Sequence, residues 1–177
     1  MRRLVLSVAV IAITLTAGVA SAQVTKESVP GIANFSRVET TIACAGATSP
    51  AAVATVKKMG YASIINLRQA SEAGADVEAE EAAAKAAAIT YISLPLNTAS
   101  PDPAVVDRFI AAVTAPANQP VFVHCASANR ASALWMIKRM TVDGWDADRA
   151  TQEAMALGLT SAALKSFALD YAAAHRK

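Results

Sequence analysis

One stretch of the sequence decides the fold, residues 121–130: Val121-Phe122-Val123-His124-Cys125-Ala126-Ser127-Ala128-Asn129-Arg130. It opens with an apolar run of β-formers, which is typical of a buried central strand. Beyond it, over residues 131–140, apolar residues recur at helical spacing. The stretch therefore predicts a strand, a loop of small residues and a helix, with a cysteine where the strand stops and an arginine where the helix starts.

The predicted loop can hold an anion. The backbone N–H groups of Ala126, Ser127, Ala128, Asn129 and Arg130 can point into one small bowl, in front of the positive end of the helix dipole. The same field favours the thiolate form of the preceding cysteine. The arginine adds a planar fork that can bind two oxygens. These features predict nucleophilic attack by the cysteine on an anionic substrate.

The pattern His124-Cys125-(four residues)-Arg130 resembles the active-site loop of the cysteine-dependent dual-specificity-phosphatase-like superfamily, and most of all its bacterial beta-lactamase-hydrolase-like branch. Four further segments resemble that branch in the same order, so the resemblance extends from about Asn34 to the C-terminus; they lie at residues 34–38, 46–50, 64–68 and 91–96. The ordered set is a more specific signal than the loop alone. The resemblance implies a protein tyrosine phosphatase-like fold and a phosphocysteine intermediate.

The loop departs from the family pattern in two ways. Most such phosphatases have five residues between the cysteine and the arginine, whereas this chain has four, a spacing that also resembles rhodanese-type sulfurtransferases. The family usually has glycine where this chain has Ala128, and alanine adopts positive φ less readily. Three functions stay open: a phosphatase-like hydrolase, a sulfurtransferase, and a catalytically weak module that binds phosphate or another anion.

The N-terminus has the pattern of a secretory signal peptide. A basic head that includes Arg2 and Arg3 precedes an apolar run, and Ala20-Ser21-Ala22 forms a small-x-small cleavage site. An N-terminal membrane anchor is the alternative, because the apolar run is nearly long enough to span a bilayer. We expect cleavage after Ala22 and a periplasmic or secreted protein with no stable membrane insertion. Residues 1–22 are then the signal peptide, 23–33 a mobile leader and 34–177 the phosphatase-like domain.

The charge balance and motifs of the chain indicate which kinds of partner it can bind. The full chain has 16 Lys+Arg and 14 Asp+Glu, and the predicted signal peptide removes two arginines and no acid, so the mature chain has 14 of each. No basic tract remains, which argues against nucleic acid as a partner. No metal-ligand constellation and no dinucleotide-binding motif is visible, so we predict no metal and no cofactor. The expected ligand is a small anionic or phosphorylated substrate.

Strand and helix patterns alternate along the chain. This alternation predicts an α/β domain with a mainly parallel central sheet of about four to five strands, covered by helices on both faces. One strand is expected over residues 38–44. In such folds ligands bind at the carboxyl ends of the strands, which is where the pattern places Cys125.

Three further residues are candidates near the cysteine. His124 should point to the opposite face of the sheet from Cys125, and the resemblance implies that it supports the loop by hydrogen bonds. Ser132 can support the loop too, or bond back within its own helix. Asp102 is the one carboxylate in the loop after the third predicted strand, where the family places its general acid. Its alternative role is that of a helix N-cap between two prolines.

Three residues are given no catalytic role. Cys44 can be a small buried apolar residue or can pair with Cys125 in an oxidising compartment, and we favour the first interpretation. Arg68 and Glu72 resemble family positions, but the simpler interpretation is a solvated ion pair at a strand end.

Overall fold

The computed structural model describes residues 24–175. The predicted signal peptide, and with it the cleavage site, lies outside these residues. Six strands form one sheet: β1 (Val24–Lys26), β2 (Ser36–Val38), β3 (Ile42–Ala45), β4 (Ser63–Asn66), β5 (Thr90–Ser93) and β6 (Val121–His124). Six α-helices accompany them: α1 (Val53–Lys58), α2 (Val77–Ala86), α3 (Pro103–Thr114), α4 (Asn129–Thr141), α5 (Ala147–Leu157) and α6 (Ala162–His175).

The sheet is mostly parallel, with β6 at its centre. The strand order is β1-β2-β3-β6-β4-β5, and β3, β6, β4 and β5 are parallel to one another. The antiparallel strands β1 and β2 complete one edge. The predicted α/β fold is therefore confirmed, with six strands in place of four to five.

Two features of the structure account for the strands that the sequence did not predict. The strand predicted over residues 38–44 is a hairpin, because Glu39 takes a left-handed φ of 58° and the chain reverses between β2 and β3. The predicted leader of residues 23–33 contains β1, which pairs with β2. A strand of three residues is too short to produce a detectable alternation, so the sequence did not reveal it.

Two apolar layers cover the two faces of the sheet. One face carries Cys44, Val123 and Cys125 and packs with helices α3 to α6. The other face carries Ala43 and Phe122 and packs with α1 and α2. Since successive strand residues point to opposite faces, adjacent residues of β6 enter different cores. Within the described part of the chain no helix is long and apolar enough to cross a membrane.

Candidate active site

The predicted nucleophile lies at the carboxyl end of the central strand. Cys125 follows β6 directly, its N–H donates to the carbonyl of Ala45 at 3.2 Å, and its side chain is 1% exposed. After three intervening residues, α4 begins at Asn129. The predicted order of strand, loop and helix is therefore what the structure contains, and the positive end of a 13-residue helix faces the loop.

Neighbouring segments hold the loop by its carbonyl groups. The carbonyl of Ala126 accepts from the N–H of Ala47 at 2.9 Å, and that of Ser127 accepts from the Asn34 side chain at 3.4 Å. Within residues 24–175, the N–H groups of residues 126, 127, 129 and 130 donate to no protein acceptor. The carbonyls are thus turned toward the protein, while these N–H groups remain able to bind an anion.

Ala128 occupies the position where the family usually has glycine. Its φ of 73° and ψ of −12° are left-handed, and the residue is fully buried at the N-terminus of α4. A non-glycine residue here carries a steric cost of about 1–2 kcal/mol. The loop backbone therefore has the conformation that a glycine would favour, although the chain places alanine there.

Arg130 is anchored by the protein more firmly than the sequence indicates. Its Nη1 donates to the carbonyls of Leu67 at 2.9 Å and Leu96 at 3.1 Å, and also to Glu72 Oε1. Its Nη2 donates to Glu72 Oε2 at 2.7 Å. Burial alone would lower the pKa of Arg130, but Glu72 and the sulfur of Cys125 beside it raise the pKa above its ordinary value. The guanidinium is thereby held next to Cys125 as a permanent cation.

Glu72 makes a contact at the site that its sequence neighbourhood does not indicate. It is not a solvated partner of Arg68 but the acceptor of a two-pronged pair from Arg130, with the Nε of Arg68 3.5 Å away. Partial burial acts to raise the pKa of Glu72, but hydrogen bonds from Arg130 and the Gln69 backbone outweigh it and lower the pKa to about 2. The spacing Arg68-x-x-x-Glu72 was visible, but the 58-residue separation from Arg130 hid the second partner.

Arg68 serves the architecture of the loop between β4 and α2. It is 5% exposed and donates to the carbonyls of Gly74 at 2.9 Å and Ala73 at 2.7 Å. These bonds fold the segment that carries Glu72 back against the sheet. Arg68 therefore supports the acceptor of Arg130 and is not free to bind substrate with both its terminal nitrogens.

Asn129 ties the loop to the last helix. Its Oδ1 accepts from the N–H groups of Thr160 at 2.7 Å and Ser161 at 2.8 Å, and its Nδ2 lies 3.2 Å from the hydroxyl of Ser127. The side chain of this predicted binding residue is thus occupied by the segment just before α6, so its backbone N–H is the group left for an anion. The next residue, Ser161, caps α6, since its hydroxyl accepts from Leu164 N at 3.3 Å.

The structure places the remaining candidates as follows. Ser132 bonds back within its helix, with its hydroxyl donating to the carbonyl of Ala128 at 2.9 Å. Asp102 caps α3, since its carboxylate accepts from Ala104 N at 2.9 Å. Its proposed role as general acid has no supporting contact and stays a prediction. Cys44 and Cys125 are both free thiols, and burial raises the pKa of Cys44 well above its ordinary value.

His124 lies on the face of the sheet opposite Cys125, as the strand alternation predicts. Its ring is fully buried, stacks on Phe122 with centroids 5.7 Å apart, and places Nε2 2.7 Å from Glu80 Oε1. The pair is within ion-pair distance but lacks the alignment of a well-formed hydrogen bond. The ring thus has an acidic partner that the sequence did not indicate, because Glu80 lies on helix α2.

A groove of about 720 Å³ begins at the loop. Ser127 and Asn129 form part of its wall, and Ile32, Phe35 and Leu157 supply apolar surface. The charged side chains that line it are Lys26 and Glu27, and Glu27 is paired with Arg37 at 3.1 Å. A volume of this size is typical of pockets that hold small molecules.

Comparisons with known proteins identify the family of the chain. Residues 34–142 match the family model described as "Beta-lactamase hydrolase-like protein, phosphatase-like domain". The chain belongs to this family. The match covers more than half of the chain and confirms the resemblance drawn from the sequence. No curated protein matches.

Solved structures of this family's fold are similar at low sequence identity. A candidate phosphatase from Shewanella putrefaciens CN-32 is 20% identical, with a TM-score of 0.68 over 83% of this chain and 96% of the other. TpbA of P. aeruginosa is 22% identical, with a TM-score of 0.65 over 86% and 90%. The catalytic core of the PP-IP phosphatase SIW14 from S. cerevisiae, in complex with citrate, is 20% identical, with a TM-score of 0.66 over 81% and 88%.

Proposed function

We propose that the protein is an exported phosphatase-like hydrolase that cleaves a phosphate monoester through a thiolate nucleophile. The single observation that carries the proposal is the position of Arg130, held by Glu72 and two carbonyls beside Cys125 at the mouth of a loop with free N–H groups. Family membership supports the same reaction class. Among the structural relatives, TpbA was crystallised as a cysteine-to-serine variant with phosphotyrosine.

In the proposed reaction the loop and Arg130 bind the non-bridging phosphate oxygens. The thiolate of Cys125 attacks phosphorus, a P–S bond forms, and the P–O bond to the leaving group breaks while that oxygen takes up a proton. Water then attacks the phosphocysteine, which releases inorganic phosphate and restores the thiolate. The chain's own contribution is orientation of the phosphate and stabilisation of the charge that develops on it.

The groove supports a substrate with one phosphate and a mostly uncharged body. Among the described residues that line the groove, Lys26 is the one lysine or arginine, and it has no ion-pair partner in residues 24–175. The nearby Arg37 is paired with Glu27. Binding of several phosphates would require more free cations than this face offers. We therefore expect a phosphotyrosine peptide to be hydrolysed in preference to a polyphosphorylated small molecule such as inositol hexakisphosphate.

The test is an assay of the mature protein with an aryl phosphate and with thiosulfate, side by side. Phosphate release that is lost in Cys125→Ser and kept in Cys44→Ser supports the hydrolase. Sulfur transfer from thiosulfate without phosphate release supports the second candidate, a sulfurtransferase, which the four-residue loop favours. Phosphate binding with neither activity supports the anion-binding module.

Export is a separate part of the proposal. It rests on the basic head, the apolar run and the Ala20-Ser21-Ala22 triplet. We expect a mature N-terminus at Gln23 in protein recovered from the periplasm or the medium. Mass spectrometry that finds an intact Met1 on protein in the membrane fraction would instead support the anchor.

A further inference from the structure

A buried polar cluster lies under the sheet, on the face away from the nucleophile, and the proposed reaction does not use it. Its members are His124, Glu80, Asn66 and Tyr91. Glu80 is 3% exposed and His124 is fully buried, among the apolar residues of the layer that packs with α1 and α2. Burial of a carboxylate is costly unless it is paired. The cluster is therefore a costly feature that packing alone does not explain.

The contacts of Glu80 form a chain across three strands. Its Oε1 lies 2.7 Å from Nε2 of His124 on β6, and its Oε2 accepts from Nδ2 of Asn66 on β4 at 2.9 Å. The hydroxyl of Tyr91 on β5 is 3.5 Å from the same Oε2. Burial and the carboxylate beside it raise the pKa of Tyr91, so the phenol stays a neutral donor. The carboxyl group of Glu80 is thus the group that these three side chains share, with Asn66 and Tyr91 on one oxygen and Nε2 of His124 within ion-pair distance of the other.

The cluster is connected to both halves of the active site. Cys125 directly follows His124 in the chain, and the carbonyl of His124 accepts from Leu67 N at 2.9 Å. Oδ1 of Asn66 accepts from Arg68 N at 2.7 Å, and the carbonyl of Leu67 accepts from the Arg130 guanidinium at 2.9 Å. A shift in the cluster would therefore move the backbone that carries the nucleophile together with an acceptor of the arginine.

We propose that Glu80 is a positioning residue for Cys125, acting through the imidazole of His124. A carboxylate at Nε2 fixes a proton on that nitrogen, whether the ring is neutral or cationic. The fixed ring, stacked on Phe122, then holds the main chain at the root of the active-site loop. The inference rests on the proposed function for its consequence in turnover, but the state of the ring and the reactivity of the thiol are measurable without any substrate.

Glu80→Gln is the decisive variant because it keeps the shape of the side chain. The glutamine oxygen can still accept from Asn66, while its amide group donates to Nε2 and moves the ring proton to Nδ1. The nearest matched control is Glu81→Gln, which makes the same acid-to-amide change at the next, exposed position of α2. Glu78→Gln is the second control, since it makes the same change at another exposed position of α2, outside the cluster.

The first measurement is the ¹⁵N NMR pattern of the two histidines, assigned with a His175 variant. In the wild type and both controls we expect His124 to carry a proton on Nε2, and in Glu80→Gln we expect a neutral ring with the proton on Nδ1. A wild-type ring without a proton on Nε2 would overturn the inference directly. Because this reading is made on the wild-type protein, it holds even if Glu80→Gln fails to fold.

The second measurement is the rate of Cys125 alkylation against pH, together with turnover of an aryl phosphate. We expect Glu80→Gln to shift the pH profile of Cys125 alkylation. We also expect it to lower kcat roughly tenfold and to leave KM within about twofold, because it removes a residue that orients a functional group without contacting the substrate. Both controls should keep the wild-type profile. An unchanged profile in folded Glu80→Gln would show a purely structural role. An altered profile with no phosphatase activity in the wild type would refute the proposed reaction but keep the positioning role.

Discussion

Arg130 and Glu72, 58 residues apart in the chain, form a two-pronged ion pair at the edge of the active-site loop. Nη2 donates to Oε2 at 2.7 Å and Nη1 to Oε1, while Nη1 also reaches the carbonyls of Leu67 and Leu96. A bidentate pair fixes the plane of a guanidinium as well as its position. The arginine is therefore oriented before any substrate binds, which lowers the entropic cost of binding an oxyanion.

This ion pair makes the free energy of unfolding depend on pH in the acidic range. The pKa of Glu72 is lowered to about 2, so its ionised form stabilises the fold above the ordinary pKa near 4.5, and the contribution is lost as pH falls through about 2. We expect Glu72→Gln to have a lower Tm than the wild type at pH 7. The difference should shrink between pH 4.5 and 2 and vanish below. A Tm difference that stays constant over this range would contradict the shift.

Replacement of Arg130 should affect both activity and stability. Lysine keeps the charge but loses the fork, so we expect Arg130→Lys to lose about 2–4 kcal/mol of transition-state stabilisation. Because Arg130 is 6% exposed and donates to two carbonyls, the variant should also melt at a lower temperature. Unchanged kcat/KM for an aryl phosphate would exclude Arg130 from oxyanion binding.

The alanine in the loop offers a test of strain. With φ at 73°, we expect Ala128→Gly to release about 1–2 kcal/mol of steric cost, partly offset by loss of a buried methyl of about 0.8 kcal/mol and by the entropy of glycine. The net effect should be a Tm at or slightly above that of the wild type and tighter phosphate-analogue binding. A loss of both stability and affinity would show that the loop does not need this relaxation.

Gly158 provides the matched control for that variant. It has a φ of 119°, and a Cβ placed on it would lie 3.2 Å from the Cβ of Ala128. Gly158→Ala should therefore destabilise the protein, both through its positive φ and through the close contact of the two methyl groups. The loss should be smaller when Ala128→Gly is also present, because the methyl contact is then removed. Thermal melting of the two single variants and the double variant measures this coupling. Strict additivity would show that the methyl groups do not meet.

The two cysteines should differ sharply in reactivity. Burial raises the pKa of Cys44, whereas Cys125 lies beside the Arg130 guanidinium and the N-terminus of α4. We expect iodoacetamide at neutral pH to modify one fast site, which is absent in Cys125→Ser and present in Cys44→Ser. Peptide mapping that finds the label first on Cys44 would show that the nucleophile is misassigned.

Asp102 can be tested by separating its two possible roles. Asparagine caps helices about as well as aspartate but cannot serve as a general acid. Because the carboxylate accepts from Ala104 N in the structure, we expect Asp102→Asn to keep both the Tm and the turnover of the wild type. Asp102→Ala should lose about 1 kcal/mol of stability. Loss of turnover in Asp102→Asn, most of all with poor leaving groups, would identify Asp102 as the acid.

The local features of the site were predictable from sequence because local order produces them. An apolar run of β-formers makes β6, helical spacing makes α4, and the residues between them must form the loop that carries Cys125. The alternation of strand residues also places His124 on the opposite face. The sign of φ at Ala128 was left open, because the family's glycine favours a positive value and alanine does not.

What supports the site was decided by tertiary structure alone. Glu72 reaches Arg130 across 58 residues, Glu80 reaches His124 from a different helix, and Asn129 binds the backbone at Thr160. No periodicity or spacing links such residues, because their pairing follows from strand order in the sheet and from which helix packs on which face. The sequence by itself determined the loop between β6 and α4 and the α/β fold, and it predicts Cys125 as the nucleophile; the partners that orient the arginine and the histidine are set by the long-range packing that brings distant segments together.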